Sequence, residues 1–387
     1  MKSGIVKFRQ SFVEGMIKIS GSLSSIIILL IVAFLFGEGL GLFGKSVVEE
    51  GYVVIVSKDN PIKAISSNDL KNVFDHNITN WTQLSEKGEK SLNTNIVVAY
   101  NIDQAFEVEN TKDMIAFVPR EYAAEIDNMR ILDCGNISLE DFFLGKEWFP
   151  TAQPAPQFGV LPIILGTLWV SFAAIIIALP FALAAAVYLA ELSDKKTYAM
   201  LKPAVELLSG IPSVVYGFFG LIVIVPIVQK TFGLDVGETA LSGAVVLAIM
   251  ALPTIITIAE DAMRSTPRMM REASLALGAS KWQTIYKVVI PHSASGITAA
   301  VVLGIGRAIG ETMAVLMVTG NAAVMPHTLL EPIRTIPASI AAELGEAPTG
   351  GAHYQALFIL ACILFLITLC INLIVDRISS KSKIKSR

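Results

Sequence analysis

Six runs of mostly apolar residues dominate this chain, at about 19–37, 158–189, 205–228, 241–258, 296–318 and 354–375. A helix needs about 20 such residues to cross a bilayer, and inside lipid every backbone donor and acceptor must be satisfied by the protein itself. The pattern therefore predicts an all-α polytopic membrane protein with six transmembrane helices. Composition agrees: 53% of residues are hydrophobic and 16% charged, with mean hydropathy +0.62, against roughly 45–50% and about 25% for a soluble domain. That balance excludes a soluble enzyme, a disordered chain and a disulfide scaffold. A net charge of −3 offers no basic field for nucleic acid. Three cysteines are too few for a framework, and four scattered histidines show no metal-ligand spacing.

Orientation follows from the basic residues. Lys2, Lys7, Arg9 and Lys18 precede the first run as in a secretory signal, but no small-x-small cleavage site follows, so it reads as an uncleaved anchor. Alternate segments carry Lys195, Lys196 and Lys202, then Arg264, Arg268, Arg271, Lys281 and Lys287, then Arg377, Lys381, Lys383, Lys385 and Arg387. The short segments between them hold only Lys230 and Arg334. The positive-inside rule then predicts both termini in the cytoplasm of a multi-pass inner-membrane protein.

Segment 44–157, between the first two spans, is expected to face outward and is too long to lack structure of its own. It reads as an inserted α/β extracytoplasmic domain. Residues 52–57 (YVVIVS), 96–100 and 114–119 have strand character, and 66–75 reads as a helix capped by Ser66 or Ser67, with Leu70, Val73 and Phe74 on one face. The segment holds 18 Asp/Glu against ten Lys/Arg, a solvated acidic surface.

The most specific local pattern lies in the inward loop 260–292. Thr266 is placed to cap a helix with Pro267 at its first position. That helix runs through Arg271-Glu272-Ala273-Ser274, and Gly278 supplies its C-terminal stop. Ser280 and Gln283 form a capping box for a second short helix, which Pro291 is expected to end. Trp282, Ile285, Tyr286 and Val289 give that helix an apolar stripe. Both ends are tied to membrane spans, so this helix–turn–helix is not a DNA reader.

Glu272-Ala273-Ser274, Gly278 three residues later, then Val288, Ile290 and Pro291 resemble the EAA loop of ABC importer permeases: Glu-Ala-Ala, three residues, Gly, nine residues, Ile, any residue, Leu-Pro. Ser274, Val288 and Ile290 are conservative departures. Residues 206–220 (ELLSGIPSVVYGFFG), 304–317 (GIGRAIGETMAVLM), 142–148 and 158–162 resemble the third span, the fifth span and the lead into the second span of phosphate permeases. The likeness covers about 140–376 and is closer to the PstC-like subunit than to its PstA-like partner. Residues 52–84 and 115–123 are similar to stretches of an extracytoplasmic phosphate-binding protein. The residues between those stretches, 101–108 among them, lack the Ser-Gly-Thr helix start that cradles phosphate in that family. A degenerate lobe results, one that docks a separate binding protein or covers the outer gate.

The resemblance implies the permease subunit of an ATP-driven importer of inorganic phosphate. It would pair as a heterodimer with a PstA-like subunit, with two copies of a PstB-like ATPase and an extracytoplasmic phosphate-binding protein. Arg271, Glu272, Ala273, Ser274, Gly278, Trp282 and Pro291 would form the ATPase-coupling element. No Walker lysine loop and no nucleophile–base set is present, so ATP hydrolysis is expected from a separate subunit, with no catalytic residue, metal or cofactor here. Alternatives are another oxyanion, such as molybdate or phosphonate, or a membrane receptor with an extracytoplasmic sensing domain. The expected divisions are 1–43, 44–157, a permease core 158–376 and a basic tail 377–387.

Arg307 and Glu311 fall mid-span, where an ionised residue costs roughly 2.5–3.5 kcal/mol by insertion scales. Four residues apart, they are expected on one helix face, either as an internal ion pair fixing packing or as pathway groups. In the second reading Arg307 is a transient counter-charge for an oxyanion, and Glu311 keeps the site from trapping it. Residues 209–213 (SGIPS) interrupt the third span, and backbone exposed at membrane depth is tolerated where it lines a cavity. Ser209, Ser213 and Thr312 join the pathway set, as does Glu206 at the start of that span. Pro180, Pro226 and Pro253 read as packing kinks.

Overall fold

The computed structural model describes residues 2–84, 94–107, 112–123, 125–126 and 128–385. Val108 and Arg387 lie outside the described residues, as do the side chains of Lys2, Lys7, Arg9, Lys381, Lys383 and Lys385. Contacts divide the chain into two compact units, one of residues 1–138, 153–156 and 347–362, the other of 139–152, 157–346 and 363–387.

In the first unit, α1 (Lys2–Leu40) precedes a small α/β fold. β1 (Tyr52–Ser57) is buried from Val53 onward, because it is covered on both faces and flanked by neighbours on both edges. α2 (Ser67–Phe74), β2 (Val97–Ala99), α3 (Ile102–Glu107), β3 (Met114–Pro119) and β4 (Met129–Ile131) follow. The sheet order is β2-β3-β1-β4, with β1 antiparallel to β3 and β4 and β2 parallel to β3. Ser66 caps α2 by accepting from the Asp69 amide at 3.1 Å, and Leu70, Val73 and Phe74 turn inward as expected. Trp81 is buried and its indole donates to the Asp113 carbonyl. The strand read at 96–100 is trimmed to three residues. α3 and β4 had no reading in the sequence, since each is short and β4 carries Arg130 at its centre.

The second unit begins with α4 (Leu139–Leu144) and a two-stranded ribbon of β5 (Trp148–Phe149) and β6 (Gln157–Phe158). α5 (Leu161–Val187) continues into a π-helical turn at Tyr188–Leu192. Then come α6 (Lys195–Ser209), α7 (Ser213–Phe219), a π-helical turn at Gly220–Ile224, α8 (Val225–Phe232) and α9 (Ala240–Arg264). α10 (Arg268–Ala276) and α11 (Lys281–Thr284) precede α12 (Ile290–Ile309), α13 (Met313–Val318), α14 (Ile336–Glu343) and α15 (Ala352–Lys385), the last shared between the units. α5, α9 and α12 pack as the centre of the bundle. Ile175, Ala178, Ala251, Ile255 and Ala300 are buried between them.

Among the described residues, six helices are long and apolar enough to cross a membrane: Val13–Gly44, Leu161–Leu192, Ser213–Phe232, Ala240–Arg264, Lys281–Ile309 and Ala352–Ile374. Two of them correct the sequence reading. The third starts at Ser213 rather than near 205, because Pro212 takes an extended backbone (φ −60°, ψ 143°) and separates α6 from α7. Glu206 therefore lies on α6 and does not begin a span. The fifth stops at Ile309, and α13 is a separate helix beyond it.

Outside the spans, burial and, secondarily, the Asp133 charge push the Cys134 thiol up to about 12. Only the thiolate reacts readily, so Cys134 is expected to resist a water-soluble maleimide at mildly alkaline pH until the protein is denatured. Mass spectrometry of the labelled peptide checks this, and modification of the folded protein at the rate of a free thiol contradicts it.

Candidate functional site

α7 and α13 each begin just after a break that separates them from the preceding helix, and they pack side by side. A methyl added at Gly217 would meet Met317 Sδ at 2.8 Å and Ala314 Cα at 3.0 Å, and one at Gly220 would meet Val318 Cγ1 at 2.8 Å. Residue numbers rise together along both helices, so the two run parallel, with their starts alongside each other. The freed backbone groups find local partners. The Tyr216 hydroxyl donates to the Leu208 carbonyl at 2.8 Å, and the Ser209 hydroxyl to the Glu206 carbonyl at 2.6 Å. Across the second break, Glu311 Oε1 accepts from the Ala314 amide at 3.2 Å and so caps α13.

This arrangement separates two side chains that the sequence put on one helix face. α12 ends at Ile309 with Gly310 as its cap, so the four-residue spacing from Arg307 to Glu311 no longer spans continuous helix. Arg307 Nη1 instead donates to Thr254 Oγ1 at 3.1 Å. Among the described residues it forms no ion pair with Glu311 or any other carboxylate. Arg307 is half-buried. Arg307, Glu311, Thr312 and Ser213 are thus gathered around the two breaks. Ser209 stands at the far edge of the first break with its hydroxyl engaged. Glu206 stays on α6, 3.9 Å from Lys202.

At the end of the bundle where α9 leads into α10, a second cluster forms around Arg271. Its guanidinium bonds Glu191 Oε1 at 2.7 Å, the Thr266 carbonyl at 2.6 Å and the Met263 carbonyl at 2.8 Å. One side chain therefore ties α10 to the ends of α5 and α9. Ser274 Oγ meets Thr284 Oγ1 at 3.0 Å and holds α10 to α11. Gly278 (φ +85°) turns the chain in a left-handed conformation, with the Ala279 amide bonded to the Ser274 carbonyl. The Ser280–Gln283 capping box forms as expected.

Three details differ from the sequence reading. Pro267, not Thr266, is the N-cap of α10, and Thr266 is buried with its carbonyl taken by Arg271. Pro291 does not end the second helix. A π-helical turn at Ile285–Val289 carries the helix through it, because the wider turn relieves the clash a proline ring makes with the carbonyl four residues back. Trp282, Ile285, Tyr286 and Val289 do not form one stripe either. Ile285 and Val289 are buried, while Trp282 and Tyr286 are exposed. Glu272, Ala273, Gly278 and Pro291 are exposed, and Leu277 is 89% exposed.

A third cluster escaped the sequence reading. Lys202 Nζ lies 2.5 Å from Glu260 Oε2 and 3.4 Å from Asp261 Oδ1, and Glu260 also pairs with Arg264. Arg264 stacks over the Tyr198 ring at 3.8 Å and donates to the Leu189 carbonyl. Desolvation pulls the Lys202 ammonium down, but the hydrogen bond and charge of Glu260 outweigh it and hold the group above its ordinary value. The available signal was Glu260, a carboxylate in the apolar stretch of α9, four residues before Arg264.

Residues 178–384 match the family described as binding-protein-dependent transport system inner membrane component, and residues 33–157 match a PBP superfamily domain. The chain is 38% identical over 248 residues to the probable ABC transporter permease protein YqgH of Bacillus subtilis, covering 64% of this chain and 80% of that protein. It is 36% identical over 263 residues to the phosphate transport system permease protein PstC of Pasteurella multocida, covering 62% and 81%. Among solved structures, the inward-facing MetNI methionine ABC transporter aligns with TM-score 0.44 and 20% identity over 58% of this chain and 94% of that one. The chain belongs to the family of binding-protein-dependent transport inner membrane components. It is a multi-pass inner-membrane permease subunit that works with a binding protein and a separate ATPase, and is not itself an enzyme.

Charge-assisted hydrogen bonds contribute roughly 1.5–3 kcal/mol each, and Arg271 makes several. Arg271→Ala is expected to raise hydrogen exchange across 268–284 by roughly ten-fold or more, leaving α5, α9 and α12 protected. Exchange unchanged at 268–284 contradicts the anchoring role.

Proposed function

We propose that this chain is the permease subunit of an ATP-driven importer of inorganic phosphate and forms half of the translocation pathway. The observation that carries the proposal is Arg307, a guanidinium in a membrane helix whose described partner is a hydroxyl rather than a carboxylate. Ionisable groups at that depth mark pathways, and a guanidinium fork matches the geometry of a phosphate oxyanion. Relatives named as phosphate permeases support the substrate.

Glu311 takes the complementary part. In the present arrangement its carboxylate caps α13 and leaves Arg307 uncompensated. If helix α12 extended through the break, the four-residue spacing would bring Glu311 onto Arg307 and neutralise it. A separated pair receives the anion and a closed pair releases it. Ser213 and Thr312, at the starts of the two paired helices, supply neutral hydroxyls near the route. Ser209 and Glu206 border it.

Coupling rests on α10 and α11. Met269, Leu277, Trp282 and Tyr286 are exposed, an apolar surface suited to a groove of an ATPase subunit. Glu272, Ala273, Ser274, Gly278 and Pro291 shape that surface, and Arg271 ties it to the bundle. The full assembly in this reading contains a PstA-like second permease, two PstB-like ATPases and an extracytoplasmic phosphate-binding protein. The basic segments face the cytoplasm, with both termini inside. The 44–157 segment, a degenerate binding-protein lobe, faces outward and orients the true binding protein.

Arg307→Gln, in a complex that still assembles, is expected to lower uptake of labelled phosphate by roughly ten- to a hundred-fold. Unchanged uptake with coupled ATP hydrolysis contradicts the proposal. Glu311→Gln keeps an acceptor for the Ala314 amide but removes the negative charge. It is expected to slow turnover without loss of assembly, read as maximal uptake rate in proteoliposomes. A wild-type maximal rate contradicts the release role.

A further inference from the structure

α9 and α12 approach so closely at Gly304 that a methyl there would meet Ile255 Cδ1 at 2.7 Å. One turn further along α12 stands Arg307, and beside Ile255 on α9 stands Thr254. The close approach leaves Arg307 Nη1 and Thr254 Oγ1 3.1 Å apart. This is the one hydrogen bond of the Arg307 side chain among the described residues, and it uses a single nitrogen at the end of the fork.

The chemistry of the partner matters. A carboxylate at this place would orient the guanidinium but cancel its charge. An apolar side chain would preserve the charge but leave a long side chain free to turn among many rotamers. A hydroxyl orients without neutralising, and it leaves the Nε–Nη2 edge unbonded. That edge presents two parallel N–H groups, the arrangement that grips an oxyanion through two bonds.

We infer that Thr254 is a positioning residue for transport: by accepting from Nη1 it orients Arg307 without compensating its charge, with the Nε–Nη2 edge open to a permeating oxyanion. The inference deepens the reading of Arg307 given above and rests on it.

The test uses the full complex in proteoliposomes, with labelled inorganic phosphate, purified binding protein and ATP. Thr254→Val keeps the shape and removes the acceptor, and Thr254→Ser restores it. Thr254→Val is expected to lower the maximal uptake rate by roughly ten-fold. The half-saturating concentration of binding protein should stay unchanged, and Thr254→Ser should stay within about two-fold of wild type. A structural role alone would not separate valine from serine in this way. Should the valine variant fail to assemble, Thr254→Ala makes the same comparison without the added methyl. Equal loss in the valine and serine variants overturns the inference, as does a wild-type rate in the valine variant. Arg307→Gln, run alongside, keeps the two ideas apart. If it abolishes uptake while Thr254→Val does not, only the positioning role falls. If neither variant changes uptake, the reading of Arg307 falls as well.

Discussion

Backbone groups released where an apolar helix stops must be bonded again, and where lipid replaces water only the protein can do it. That constraint organises the core of this molecule. Two breaks, at 210–212 and 310–312, free donors and acceptors beside one another. Tyr216 answers the first and Glu311 the second. In doing so Glu311 is drawn away from Arg307, which leaves a charged side chain with a hydroxyl for company. The polarity at the centre of the bundle is therefore a consequence of where the helices stop.

The other end of the bundle follows a different rule. There the charges are paired, and the pairs join elements that are separate in sequence. Arg271 links α10 to α5 and α9. The Glu260 carboxylate links α9 to α6 through Lys202, and α6 leads directly into the first break. A force applied to α10 thus meets a connected set of helices that ends where the helix interruption begins. That contiguity gives a physical basis for coupling.

Much of the architecture was legible in the chain. Long apolar runs report spans directly, because lipid tolerates little else. Caps were legible where a short-range hydrogen bond defines them, as at Ser66 and in the Ser280–Gln283 box. The buried strand at 52–57 announced itself through uninterrupted β-branched residues. What was missed depended on partners distant in sequence or on helix continuity. The Lys202–Glu260 pair joins residues 58 positions apart, and periodicity carries no trace of it. The spacing of Arg307 and Glu311 was read on an unbroken helix, and Gly310 made that assumption fail. The apolar stripe from Trp282 to Val289 failed for a related reason: a π-helical turn shifts the register midway, sending Ile285 and Val289 inward while Trp282 and Tyr286 stay exposed.

The account stands on the exposed α10–α11 corner being the surface that an ATPase grips from inside the cell. The direct measurement is labelling of Leu277→Cys with a membrane-impermeant maleimide, in intact cells and in inside-out vesicles, with and without bound ATPase. The account expects labelling only in inside-out vesicles, and strong protection once the ATPase is bound. Labelling from outside intact cells, or full reactivity under a bound ATPase, would contradict it.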